Sequence, residues 1–214
     1  MALSMTVAAP SAVSAQESII ERLGLDRLQI VSLGASAGRI LPSQVDATMV
    51  YAISADYGEI APNWRVVFTS SYWSSKYSDK VVRTFVDTLN KRLVDPSGAA
   101  RVEPSDISLY DVTVGADLRY TPKYSGELKP FFGIGIAAHV INAEGPLIQG
   151  TFVERSLDDI AGGMYLTTGV SFRLVQNIGF EGSVRGDLLS GFRSTQARVG
   201  AMYFFGRMRG MTPK

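Results

Sequence analysis

The chain has 214 residues, 46% of them hydrophobic, and its 21 Lys+Arg stand against 20 Asp+Glu. That balance gives no charge excess to draw it to nucleic acid, and the length suits one domain. Cys is absent, which excludes disulfides and thiolate metal sites; the absence of any apolar run of about 18 residues excludes a spanning helix but says nothing against spanning strands.

Residues 1–15 are small and mildly apolar, and Val13-Ser14-Ala15 has the form of an export cleavage site. No Lys or Arg precedes Arg22, and Pro10 breaks the apolar stretch. The segment reads either as the remnant of a signal peptide or as a disordered tail, and it is set apart from the fold. Ser18-Ile19-Ile20-Glu21 has capping-box spacing and Gly24 supplies a stop, which predicts a short helix or linker over 16–27.

From Leu28 onward the dominant signal is alternation with a period of two, the mark of strands with two unlike faces. A first, weakly alternating strand runs from Leu28 to Arg39 and turns at Leu41-Pro42-Ser43. The second sets Met49, Tyr51, Ile53 and Tyr57 against Thr48, Val50, Ser54 and Asp56; a turn over 58–63 follows. The third sets Trp64, Val66, Phe68 and Tyr72 against Arg65, Val67, Thr69 and Trp73. Over 78–106 the period changes. Val82, Phe85, Val86, Leu89 and Leu93 fall at helical spacing before Asp95-Pro96-Ser97-Gly98, which predicts a long loop carrying a short amphipathic helix.

The fourth strand alternates Tyr110, Val112, Val114, Ala116, Leu118 and Tyr120 with Asp111, Thr113, Asp117 and Arg119. After a turn over 121–127, the fifth alternates Phe132, Ile134 and Ile136 with Lys129, Phe131 and His139. A second long loop covers 142–162. Three strands close the chain over 163–205, the last ending in Tyr203-Phe204-Phe205, and 207–214 form a tail.

These segments run to about 10–13 residues, longer than the usual strand of about 5–6 and close to the 9–11 that cross a bilayer at a tilt. Tyr110 to Tyr120 spans ten steps of about 3.3 Å, or roughly 25 Å at a tilt near 40°, the height of the lipid band between aromatic girdles. Residues 28–206 are therefore predicted to form an all-β, closed, antiparallel, up-and-down transmembrane barrel of about eight strands, apolar outside and polar inside. Tyr51, Tyr57, Trp64, Tyr72, Tyr110, Tyr120, Tyr203 and Phe205 are the expected interface aromatics. Short turns fall at one end and the long loops at the other.

The predicted lumen carries Asp56, Arg65, Asp111, Asp117, Arg119, Lys129, Arg173, Glu181, Arg185, Asp187 and Arg198, nearly balanced in sign. Buried charges persist when paired, so these residues read as an ion-pair network filling the barrel; a gate or narrow ion path is the functional alternative. His139, the single histidine, reads as a satisfied polar residue at the rim, or as the general base of a lipid-modifying hydrolase. No spacing selects a nucleophile for it, and no Walker loop, GxSxG or metal-ligand cluster is present.

With its even strand number, loop asymmetry, Gly133-Ile134-Gly135 strand and aromatic last strand, the stretch from Leu28 to Phe205 resembles the small outer-membrane β-barrel proteins of the OmpA/OmpX type. The resemblance implies a Gram-negative cell envelope, location in the outer membrane among its lipids, and recognition of the last strand by the barrel assembly machinery. In that family the chain often ends on the aromatic residue; here Gly206 to Lys214 follow Phe205. The function so implied is structural or adhesive, non-enzymatic and without cofactor, with an extracellular ligand met by loops 78–106 and 142–162. The alternatives are the His139 hydrolase, a narrow pore and a soluble lipocalin-like carrier, against which the charged lumen series argues.

Overall fold

In the computed structural model, which describes residues 29–43, 45–92, 106–123, 125–146, 159–189 and 192–205, eight strands close into a barrel. They are β1 (Ser32–Pro42), β2 (Thr48–Ala61), β3 (Trp64–Lys76), β4 (Ser108–Tyr120), β5 (Leu128–Glu144), β6 (Asp159–Arg173), β7 (Ile178–Leu189) and β8 (Phe192–Phe204). Each pairs antiparallel with the next. The ring closes where β1 meets β8, from Ser32 opposite Phe204 to Pro42 opposite Ser194. The segments predicted over 1–27 and 207–214 lie outside the described residues.

The turns at 62–63, 121–127 and 174–177 sit at one end of the barrel. The longer connections sit at the other, including a helix α1 (Asp79–Arg92). Asp79 in its first turn suits the positive end of the helix dipole, and Val82 and Val86 of the predicted apolar stripe are buried.

Several strands outrun their sequence-based bounds. β1 starts at Ser32 and ends at Pro42, against an expected 28–39. β5 continues to Glu144 and β6 begins at Asp159, so the second long loop shrinks from 142–162 to 145–158. β3 extends to Lys76, where an alternation count stops at Trp73. The expected turn over 58–63 reduces to Pro62-Asn63, because β2 runs on through a bulge between Asp56 and Ala61. Gly58 takes a φ of +84° there, a conformation open to glycine.

Burial follows the alternation. On β5, Phe132, Ile134 and Ile136 are exposed, while Phe131, Ala137 and His139 between them are buried. Side chains exposed on the outer wall include Leu33, Ile53, Phe68, Val114, Leu166, Val184 and Val199, an apolar belt far larger than a water-facing surface carries. Of the aromatics expected at the interfaces, Tyr51, Trp64, Tyr72, Tyr203 and Phe205 are exposed, and Tyr57, Tyr110 and Tyr120 are partly buried. Trp64 and Tyr120 touch at the short-turn end, with ring centroids 5.0 Å apart, as do Tyr203 and Phe205 at 5.5 Å. Phe172 and Phe180, stacked at 5.5 Å, add to that girdle. They belong to the same greasy series and were not singled out as interface aromatics from the sequence.

Val184 lies mid-strand on this belt. Val184→Arg is expected to weaken folding into bilayers by about 2–4 kcal/mol, whereas Ile160→Arg, near the loop end of β6, should cost about 1 kcal/mol or less. Urea titration of the barrel in vesicles measures both. Equal costs would mean that the belt does not sit in hydrocarbon as described.

Candidate functional site

An eight-stranded barrel encloses only enough space for side chains, and this lumen is filled in four levels. At the short-turn end Asp56 accepts from Arg65 Nη2 at 2.6 Å and from the Gly58 N–H at 2.7 Å. At the next level Arg119 donates to Asp117 at 3.2 Å and to Glu181 at 2.8 Å, and its guanidinium stacks on Phe131 at 4.1 Å. The Tyr165 hydroxyl donates to the other oxygen of Asp117 at 3.2 Å.

The Tyr165 ring in turn carries the Arg185 guanidinium at 3.5 Å. Arg185 donates through Nε and Nη2 to Asp187 at 2.8 and 2.5 Å, and Ser194 and Gln196 donate to the remaining oxygen at 3.1 and 3.0 Å. Arg185 and Asp187 are each 2% exposed, so water screens this pair little. Glycines make the rings fit. A Cβ on Gly135 would overlap Tyr165, and one on Gly169 would stand 2.6 Å from Phe131.

The fourth level holds Asp111, which accepts from Trp73 Nε1 at 3.0 Å and meets His139 Nδ1 at 2.9 Å, with Thr113 Oγ1 3.1 Å from the same nitrogen. Asp111 thus pairs with a histidine and an indole. His139 is not at the rim: it is buried, and its Nε2 has no hydrogen-bond partner among the described residues. Among the described residues no serine hydroxyl bonds either ring nitrogen; the arrangement holds the imidazole against the Asp111 carboxylate and the Thr113 hydroxyl.

Above His139 the inward face turns apolar. Ile40, Val50, Trp73, Leu109 and Ala143 point inward from five strands, Val45 and Ile107 join them, and the cluster packs against Tyr77, Ile141 and Phe192. Trp73 and Phe192 stack with centroids 6.2 Å apart, 6° from parallel. Burial pushes the Tyr77 phenol, just beyond β3, above its ordinary pKa. The lumen therefore has an apolar lid at the loop end, which the expectation of a uniformly polar interior did not contain. Its signal was present in the sequence, since Ile40, Val50 and Leu109 hold inward parity, yet apolar residues on both faces read as the end of a strand.

Three charges of the expected network stand apart from it. Lys129 and Arg173 face the short-turn mouth, are exposed, and enter no ion pair among the described residues; Arg173 stacks on Phe204 at 4.0 Å. Arg198 is buried beside the third level, and its Nη1 meets no acceptor among the described residues. Among those residues no group of three or more side chains could hold a metal ion.

No family model and no curated protein matches the chain. Solved structures do. Neisserial surface protein A is 16% identical, with a TM-score of 0.52 over 81% of this chain and 96% of that one. The outer membrane protein OprG of Pseudomonas aeruginosa is 12% identical, with a TM-score of 0.49 over 83% of this chain and 97% of that one. The attachment invasion locus protein Ail of Yersinia pestis, in complex with the heparin analogue sucrose octasulfate, is 12% identical, with a TM-score of 0.46 over 82% and 97%. The likeness to the Neisserial protein is one of fold: this chain is an eight-stranded barrel built as the small outer-membrane barrels are.

Breaking the third level tests whether its pairing stabilises the barrel. Arg185→Met strands a buried carboxylate and is expected to lower the unfolding free energy by about 3–5 kcal/mol, read from urea titration of the folded band on unheated gels. Removing both charges, with Arg185→Met and Asp187→Asn together, should cost less than the single change.

Proposed function

We propose that this chain, an eight-stranded β-barrel of the small outer-membrane type, is an integral outer-membrane protein with a structural or adhesive role. Its barrel serves as a lipid-embedded stand, and the long-loop end, residues 77–107 and 145–158, is the surface that meets the exterior and an extracellular ligand. The observation that carries this reading is the lid. With the lumen holding a column of paired charges and capped at its loop end by Trp73, Phe192 and their neighbours, the surface left at that end to meet a ligand is the loops.

The same observation weighs against the pore and the hydrolase. A narrow pore needs a continuous wet path, and the lid interrupts it. A hydrolase needs its imidazole within reach of a nucleophile and a substrate, whereas His139 lies beneath the lid with Asp111 and Thr113 on Nδ1. The barrel assembly machinery would deliver the chain, reading its aromatic last strand, and outer-membrane lipid would surround it.

Two measurements test the reading. Cells displaying the barrel are expected to adhere to matrix proteins or epithelial cells more than cells without it. Deleting 81–101 should abolish the gain while leaving heat-modifiable gel migration intact, because outer loops contribute little to the closed hydrogen-bond network. Adhesion that survives in the deleted but folded protein would remove this loop from the role. In planar bilayers the wild type should show no unitary currents, and its phospholipid and lipopolysaccharide acyl release should match that of the folded His139→Asn variant, at background; steady currents or His139-dependent release would overturn the proposal.

A further inference from the structure

The short-turn mouth of the lumen contains a cavity of about 70 Å³ whose walls hold four cationic side chains, Arg65, Arg119, Lys129 and Arg173, and two acidic ones, Asp56 and Glu181. The acids are committed. Asp56 is bonded by Arg65 and by the Gly58 N–H, and Glu181 accepts from Arg119, which also serves Asp117. Two cations of the wall, Lys129 and Arg173, enter no ion pair among the described residues.

Three features make this mouth more than a solvated charge patch. Arg173 is held by its face on Phe204, with 4.0 Å from guanidinium carbon to ring centroid. Such stacking restrains the planar group while its edge N–H donors meet no acceptor among the described residues. The hydroxyls of Ser32 and Ser171 also line the cavity, and Ser32 is 2% exposed; each is a donor that can turn toward an oxygen. Deeper in, Arg198 is buried and its Nη1 meets no acceptor among the described residues, so the lumen behind the mouth holds a further guanidinium that enters no ion pair there.

We infer that this mouth binds one phosphate-type oxyanion, held between Lys129 and Arg173 with help from the cavity hydroxyls. The cavity holds more than a single water, which is room for a small tetrahedral group. The group recognised is a phosphate monoester or its inorganic equivalent; it reaches the mouth either free or on a lipid headgroup at the membrane surface. Charge-assisted hydrogen bonds from two cations supply the affinity, and the mouth is open enough for salt to screen it.

Phosphorus NMR on the full-length folded chain tests the site in two arms. In the first, the barrel in octyl glucoside at low salt is titrated with inorganic phosphate; in the second, it is placed in phosphatidylcholine nanodiscs containing phosphatidic acid. A saturable shift of one phosphorus per barrel is expected in at least one arm, weakened at least about tenfold by Lys129→Gln with Arg173→Gln and by added salt. The arm that responds identifies the source. The variant must keep heat-modifiable migration, and Lys76→Gln, at the far end of β3, serves as a charge control expected to bind like the wild type. No saturable shift in either arm, or equal binding by the folded double variant, would overturn the site.

Discussion

Backbone hydrogen bonding in a medium without water is the constraint on which the rest of this structure depends. A strand whose outer face meets hydrocarbon has no solvent to satisfy an unpaired N–H or C=O, each of which would cost several kcal/mol, so a spanning sheet must have no edges. The pairing of β1 with β8 removes them, with register held from Ser32–Phe204 to Pro42–Ser194. The described part of the chain adds small supports to this seam. The Phe205 N–H donates to the Val31 carbonyl, and Asn177 donates to the Phe204 carbonyl, so the ring stays paired to the end of its last strand.

Closure at eight strands then dictates the interior. The space is about what side chains fill, and most of the charges placed there are held by pairing. The result is a connected column in which Glu181, Arg119, Asp117, Tyr165, Arg185 and Asp187 each engage the next. Aromatic rings join the ion pairs at two steps, because a guanidinium is planar, weakly hydrated and able to spend its face on a ring and its edge on a carboxylate. This column changes character at both ends. Toward the loops it gives way to an apolar lid above His139, and toward the short turns it opens into a mouth with positive charge left over. The two ends of one lumen are thereby chemically unlike, one lined by apolar side chains and the other by cations that enter no ion pair among the described residues.

Strand number, strand faces and loop asymmetry follow from the period-two pattern, because a strand's side-chain period depends on backbone geometry alone and an outward belt in lipid needs an unbroken apolar series. Val184 and Ser183, Ile134 and Gly135, or Val114 and Thr113 are assigned to opposite faces without knowledge of any partner. The length of each strand near the loops is different. There Ile40, Val50, Trp73, Leu109 and Ala143 point inward and are apolar, so the contrast between faces vanishes while the hydrogen bonding continues. Parity alone cannot separate an apolar residue under a lid from one at a strand's end.

What the sequence by itself determined, then, is which side chains share a face, since that property is local and repeats every two residues; strand lengths suited to a bilayer pointed from there to a closed antiparallel barrel. The sequence also placed eleven charges on the inner face. Which of them meet was decided by tertiary structure, because register and tilt bring together residues far apart in the chain: Arg119 with Glu181, Trp73 with Asp111, Asp111 with His139. The same placement leaves Lys129, Arg173 and Arg198 without acidic partners among the described residues. A balanced count of charges conceals that outcome, because pairing depends on distances of about 3 Å that no alternation pattern encodes.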